Sequence, residues 1–319
     1  MYPFVQRVFS SFSVFYMFKV FSVLGYVVAG QPIAIPLRLR ENNAPYIHGS
    51  VPGLSGEQST VSWNLISRSS SRICITSDEG NDAYDTRQTS LHVTDRMTNA
   101  VTVLMDNSIP MIYPVGEELL VEMVGIAELG IGRSSDLVEN FRSVEILRNH
   151  QLMVLGETDT GRFTASCEPN TELFIPLDPY SASTGHDFTV SISFGNDLIG
   201  DFWGTVENQD SQYILEIHRS YLRLIIDQIG PYMIGDDQVC RCVDAREFMP
   251  IISLEIAGSG RLVMYPEDYT YLQPDGSCTL LIQGTCQRNS VSINPLMIPN
   301  ANVRITTDSI TVCDALVLE

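Results

Sequence analysis

Gly125-Ile126-Ala127-Glu128-Leu129-Gly130-Ile131-Gly132, followed by Ser134-Ser135-Asp136-Leu137-Val138-Glu139-Asn140-Phe141, is the stretch on which the fold turns. Its glycines do not form a dinucleotide fingerprint, because the order strand, Gly-x-Gly-x-x-Gly, helix is missing. The second half starts on serine and aspartate and carries apolar residues four apart, which predicts a short helix. Most of the chain around it reads differently. Val101-Thr102-Val103-Leu104, Phe188 to Ile192, Ile251 to Ile256 and Cys278 to Ile282 are short, β-branched and bounded by turn residues, as half-buried strands are. A second helix is expected from Tyr221 to Ile229, with apolar residues at 221, 222, 225, 226 and 229 and a stop at Gly230-Pro231. The expected class is all-β with few short helices.

The chain has 319 residues, enough for one large domain or two of about 150. An apolar content of 44% argues against wholesale disorder. Arg7 and Lys19 are the only charges in residues 1–30, and the apolar run Val20 to Val28 leads to Val28-Ala29-Gly30. Basic part, apolar part and small residues in that order predict an exported protein's signal peptide over 1–30, with a signal-anchor as the alternative. Without it, 17 arginines face 38 carboxylates, a net charge of −21 with no lysine. Such a surface repels nucleic acid and anionic membrane, so neither is an expected partner. It suits an acidic extracellular or vacuolar setting.

All seven cysteines (74, 167, 240, 242, 278, 286, 313) follow residue 30, so an exported chain should hold two or three disulfides with at least one thiol left over. Cys240-Arg241-Cys242 is not a C-x-x-C pair, and His48, His92, His150, His186 and His218 are scattered. No metal site and no cofactor is expected. No Asn-x-Ser/Thr sequon occurs. Ser69-Ser70-Ser71 lacks the Gly-x-Ser-x-Gly elbow of a serine hydrolase. Pro176, Pro179 and residues 181–185 are expected in an exposed loop, and Trp63 and Trp203 in the core.

The opening stretch resembles the Gly-Ile-Leu-Gly-Leu-Gly segment and helix of pepsin-like aspartic peptidases. Leu152 to Asp159 with Arg162-Phe163 looks like that family's later leucine-rich strand. From Tyr221 onward the order is helix, Cys242, Met249-Pro250-Ile251-Ile252, Pro266-Glu267-Asp268-Tyr269 and Gly276-Ser277-Cys278, which is similar to the family's C-terminal half. The resemblance covers roughly residues 46–313. It implies a bilobal acid-protease fold, with lobes at 31–160 and 161–319, a cleft between them, and a disulfide between Cys242 and Cys278. It further implies a monomer that takes a peptide or protein ligand in the cleft, with no membrane span in the mature chain.

The family's catalytic signature is Asp-Thr/Ser-Gly, and Asp159-Thr160-Gly161 is the one such triplet in the chain. Its flanks, Glu157-Thr158 and Arg162, are polar, and its place is the lobe boundary, so it reads as a surface turn. Following strand, turn and strand (Tyr46 to Gly53, Ser55 to Glu57, Ser59 to Trp63), the resemblance puts Asn64 in the first aspartate's place, with Ile66 where glycine belongs. Counting back from the helix at Tyr221 puts Asn208 in the second, with Asp210 as the fallback. A shared-proton pair of carboxylates cannot be built from two asparagines. A hairpin over Thr89 to Leu104, around Met97-Thr98-Asn99, lacks a tyrosine to close over substrate. The expected function is therefore binding. The alternatives are an active acid endopeptidase using Asp210 with Asp78 or Asp82, or a symmetric dimer using Asp159.

Overall fold

The computed structural model describes residues 32–40, 44–52, 58–75, 84–114, 125–147, 150–156, 172–177, 186–206, 212–234, 239–241, 245–298 and 301–313. The expected signal peptide, Asp78, Asp82, the Asp159-Thr160-Gly161 triplet, the 181–185 run, Asn208, Asp210 and Cys242 lie outside the described residues.

Seven described strands precede the first helix: β1 (Ile33–Leu39), β2 (Pro45–Pro52), β3 (Gln58–Ile66), β4 (Arg72–Ile75), β5 (Tyr84–Thr94), β6 (Val101–Pro114) and β7 (Gly125–Gly130). Six of them run in the order β2-β3-β7-β4-β6-β5, and β5 returns to β2 where Ser50 pairs with His92. The result is a closed six-stranded barrel. The period-2 pattern aims its contents: Ile47, Val51, Trp63 and Leu65 point in and are buried, while His48 points out. Closure depends on Gly49, where an added Cβ would sit 2.3 Å from Leu91 Cδ1 and 3.1 Å from the His92 carbonyl oxygen.

The expected hairpin is real and longer than its sequence signal, because β5 and β6 pair from Tyr84↔Pro114 to Thr94↔Val101. Its tip is docked on β1. Asp95 accepts hydrogen bonds from the Ala34 and Met97 amides, each 3.1 Å, and from the Thr98 hydroxyl at 2.6 Å. Burial pushes the Asp95 carboxyl up, but these donors outweigh it and hold the group below the ordinary carboxylate value. Its contribution to stability is therefore present above the ordinary aspartate pKa and is lost as pH falls through the lower folded value. Asp95→Asn should flatten the acid limb of a stability–pH profile in that window, measured by urea denaturation.

The helix Asp136–Phe141 forms where expected, with the Ser135 hydroxyl accepting from the Val138 amide at its start. Next come β8 (Ser143–Leu147), β9 (Gln151–Leu155), β10 (Glu172–Pro176), β11 (Phe188–Phe194), β12 (Asp197–Thr205) and β13 (Leu215–His218). The second helix is Arg219–Gln228; it starts two residues before Tyr221 because the His218 ring caps it by accepting from the Ser220 amide. The remaining strands are β14 (Val239–Arg241), β15 (Ile252–Ile256), β16 (Gly260–Met264), β17 (Thr270–Leu272), β18 (Ser277–Leu280), β19 (Ile282–Thr285), β20 (Ser290–Ile293), β21 (Asn302–Thr306) and β22 (Ser309–Cys313). The run from Cys278 to Ile282 is thus two strands, not one: β18 joins β14 and β17, and β19 pairs with β13.

The second lobe is a seven-stranded sheet in the order β16-β15-β11-β12-β20-β13-β19, with the small β14-β18-β17 sheet beside it. Between the lobes runs a six-stranded platform, β10-β22-β21-β8-β9-β1, continuous with the barrel through β1. It takes three strands from each half of the chain, so the halves are joined by shared backbone pairing. The chain is an all-β, bilobal protein with two short helices among the described residues. No helix of the described residues is long and apolar enough to cross a membrane.

Trp63 is fully buried, as expected, but Trp203 is not a core residue. It is 53% exposed on the outer face of β12, because the inward positions on either side belong to Phe202 and Gly204. There it stacks on His186, with ring centroids 5.6 Å apart. Tyr269 fills the core instead and donates its hydroxyl to the Pro250 carbonyl at 2.6 Å. Among the described residues Cys74, Cys240 and Cys286 are free thiols.

Candidate functional site at the crossing loops

Each lobe contains the same uncommon crossing. In the first, β7 lies between β3 and β4, parallel to one and antiparallel to the other. The connection from Ser67 to Ser71 therefore has the later strand passing through it. In the second lobe β20 lies between β12 and β13 in the same two senses. The β7 end is threaded through its loop by three hydrogen bonds. The Ile131 amide donates to the Ile66 carbonyl (3.0 Å), the Gly132 amide to the Arg68 carbonyl (2.9 Å), and the Gly130 amide to the Ser71 hydroxyl (3.0 Å).

The glycines of the opening stretch serve this crossing. A Cβ on Gly130 would lie 2.7 Å from the Arg68 oxygen and 2.8 Å from the Ser70 oxygen; one on Gly132 would lie 2.8 Å from the Arg68 carbonyl carbon. Those are backbone atoms, which cannot swing aside as a side chain can. Gly130→Ala should cost about 1–3 kcal/mol, the range for forced overpacking. A fall in thermal midpoint would show it.

The two crossings meet at Val206, the residue after β12. The buried Ser67 hydroxyl, in the first loop, donates to the Val206 carbonyl. The Val206 amide donates to Asp187 Oδ2 at 3.0 Å, and the Thr205 hydroxyl donates to the same oxygen at 3.0 Å. Asp187 Oδ1 in turn lies 3.2 Å from an Arg133 guanidinium nitrogen, the pair being 4% and 11% exposed. Arg133 directly follows Gly132, so it belongs to the first lobe's crossing. Val206 is therefore gripped at both of its backbone polar groups by arrangements that include first-lobe side chains.

Asn64 does not occupy this site. Two residues separate it from the loop, and it stands in mid-strand, paired with Tyr46 on one side and Glu128 on the other. Because Trp63 and Leu65 point inward, Asn64 points out, and its Oδ1 accepts from Arg40 Nε at 2.7 Å. β3 runs three residues past Trp63, so Asn64 lies inside the strand and not in the loop that follows it. The register also relates the two lobes. Asn64 is opposite Glu128 and Thr205 is opposite Ser292, each on the parallel side of its central strand. Whatever register the second loop takes, the first has none to offer as an acid: Asn64 through Ser71 reads Asn-Leu-Ile-Ser-Arg-Ser-Ser-Ser, with no carboxylate.

Sequence reasoning missed Ser67, Arg133 and Asp187. No local signal marks the last two, since 54 residues separate them and each looks like an ordinary charge beside a turn. Among the described residues no group of three or more His, Cys, Asp or Glu side chains could hold a metal ion. No protein-family model matches this chain, and no curated protein matches it.

Proposed function

We propose that this chain is a pepsin-like protein without a catalytic dyad, which acts by binding a peptide or protein segment between its lobes. The observation that carries the reading is the first crossing loop. An acid peptidase of this type needs one carboxylate from each loop, one as base toward water and one as acid toward the scissile carbonyl. The Ser67–Ser71 loop supplies hydroxyls and a guanidinium and has no side chain that can serve as the base. Its chemistry is that of hydrogen bonding. The shared platform and the paired crossings support the two-lobed architecture that this reading requires.

The test is digestion of denatured casein from pH 3 to pH 6, with and without a pepstatin-type inhibitor. No inhibitor-sensitive cleavage is expected. Cleavage that the inhibitor blocks would overturn the proposal, and its loss in Asp210→Ala or in Asp159→Ala would say which carboxylate carries it. Export through the secretory pathway, by cleavage after residue 30, belongs to the same proposal. So does Cys242 as the partner of Cys278. Peptide mapping without reductant should recover Cys242 and Cys278 in one linked fragment; recovery of Cys242 as a free thiol would contradict the pairing.

A further inference from the structure

The outer face of the barrel carries a row of side chains that the crossing loops do not use. Directly paired strand residues share a face, and the register runs Arg38↔Tyr46↔Asn64↔Glu128↔Arg72 across β1, β2, β3, β7 and β4. The next row holds His48, Ser62, Ile126 and Cys74. On this face Glu128 is the one described carboxylate of the two rows, and it is taken by Arg72 Nε at 2.6 Å.

Arg40 joins the cluster from the end of β1. Its guanidinium lies over the Tyr46 ring, 5.1 Å from the centroid, while its Nε donates to Asn64. Neither contact uses its terminal nitrogens. Arg38 and Arg40 are exposed and make no ion pair among the described residues. Two residues apart on a strand, they are spaced by about 7 Å. His48 shares the positive field: burial first, and then the charge of Arg38, holds its imidazole below the usual value. Ile126, 54% exposed, stands in the middle of the face.

A basic cluster stands out on a chain of net charge −19. We propose that the face formed by Arg38, Arg40, Tyr46 and Ile126 docks an acidic segment of a partner protein. Guanidinium forks grip carboxylates through two parallel N–H donors, which an oriented Arg40 is placed to provide. An aromatic ring, arginines and an uncovered aliphatic side chain are the composition of a protein interface. A long polyanion would be repelled by the rest of the surface, whereas a short segment feels mainly the local patch, since charges beyond about 8 Å are screened at physiological salt. This inference does not rest on the pepsin-like reading.

The experiment uses the full chain and a fluorescein-labelled octapeptide of alternating glutamate and leucine, followed by anisotropy at low and at physiological salt. The result expected is saturable, salt-weakened binding that falls roughly tenfold or more in R38E/R40E, as charge reversal against a like charge requires. R38Q/R40Q, which keeps the stems that cover the strand, should weaken it less, and a circular dichroism melt must show both variants folded. No binding by the wild-type chain, or equal binding by folded R38E/R40E, would overturn the proposal. So would a heparin octasaccharide that competes more strongly than unlabelled peptide, or self-association in the ultracentrifuge that R38E/R40E abolishes.

Discussion

Replacing Asp187 with alanine should cost the folded chain about 3–5 kcal/mol, because it removes the carboxylate that faces the Arg133 guanidinium in a site where the arginine is 11% exposed. Two further donors lose their acceptor in the same change, the Val206 amide and the Thr205 hydroxyl. A buried donor left unsatisfied is itself expensive, by about 1–3 kcal/mol, so the upper part of the range is favoured. The loss is measured as a fall in urea midpoint. Arg133→Ala should fall within the same range, for it leaves the Asp187 carboxylate 4% exposed without its counter-charge. The double change Arg133→Met with Asp187→Leu should recover much of the loss, because an apolar pair of similar size needs no charge partner. If the single and double variants were equally unstable, the pair would be a packing contact and not an electrostatic grip between the lobes.

Glu145→Ala should be comparably severe, at about 3–5 kcal/mol, for a different part of the molecule. Glu145 is fully buried in β8, opposite Arg304 of β21, and the two charged groups lie 3.5 Å apart. Those strands are the seam of the platform, one from each half of the chain. Removing the carboxylate takes away the negative charge opposite the Arg304 guanidinium, which is 12% exposed in the sheet that joins the lobes. The midpoint of unfolding should therefore drop for both lobes together. Tryptophan fluorescence reports on this, because Trp63 lies in the barrel and Trp203 on the second lobe. Separate transitions from the two tryptophans would mean that the platform does not couple the halves.

How far the sequence spoke depended on the range of the interaction. Most strands with β-branched alternation, the Ser135-capped helix and the hairpin turn around Met97-Thr98-Asn99 are decided by neighbours within a few residues, and they are where the pattern puts them. Trp203 misleads because its strand alternates correctly but the inward positions are filled by Phe202 and by Gly204, whose missing side chain makes room for the Phe188 ring. Asn64 lies in mid-strand because β3 continues past Trp63, and counting from a turn does not show how far a strand continues. Ser67, Arg133 and Asp187 become a site only when two crossings from opposite halves of the chain are brought together. No spacing rule reaches that far. The glycines at 130 and 132 were visible from the start, but their reason, backbone passing within van der Waals contact of backbone, is a property of the threaded loop.

We propose that the junction of the two crossings offers no acid pair for peptide hydrolysis, because residues 64–71 carry no carboxylate. It is tested most directly by incubating the purified chain with a mixed library of short peptides from pH 3 to pH 6 and reading new termini by mass spectrometry. The account predicts that no cleavage sites appear above those of a buffer control at any pH. Reproducible new termini that vanish with a pepstatin-type inhibitor would contradict it, and would require a carboxylate facing the second loop from somewhere other than Asn64 to Ser71.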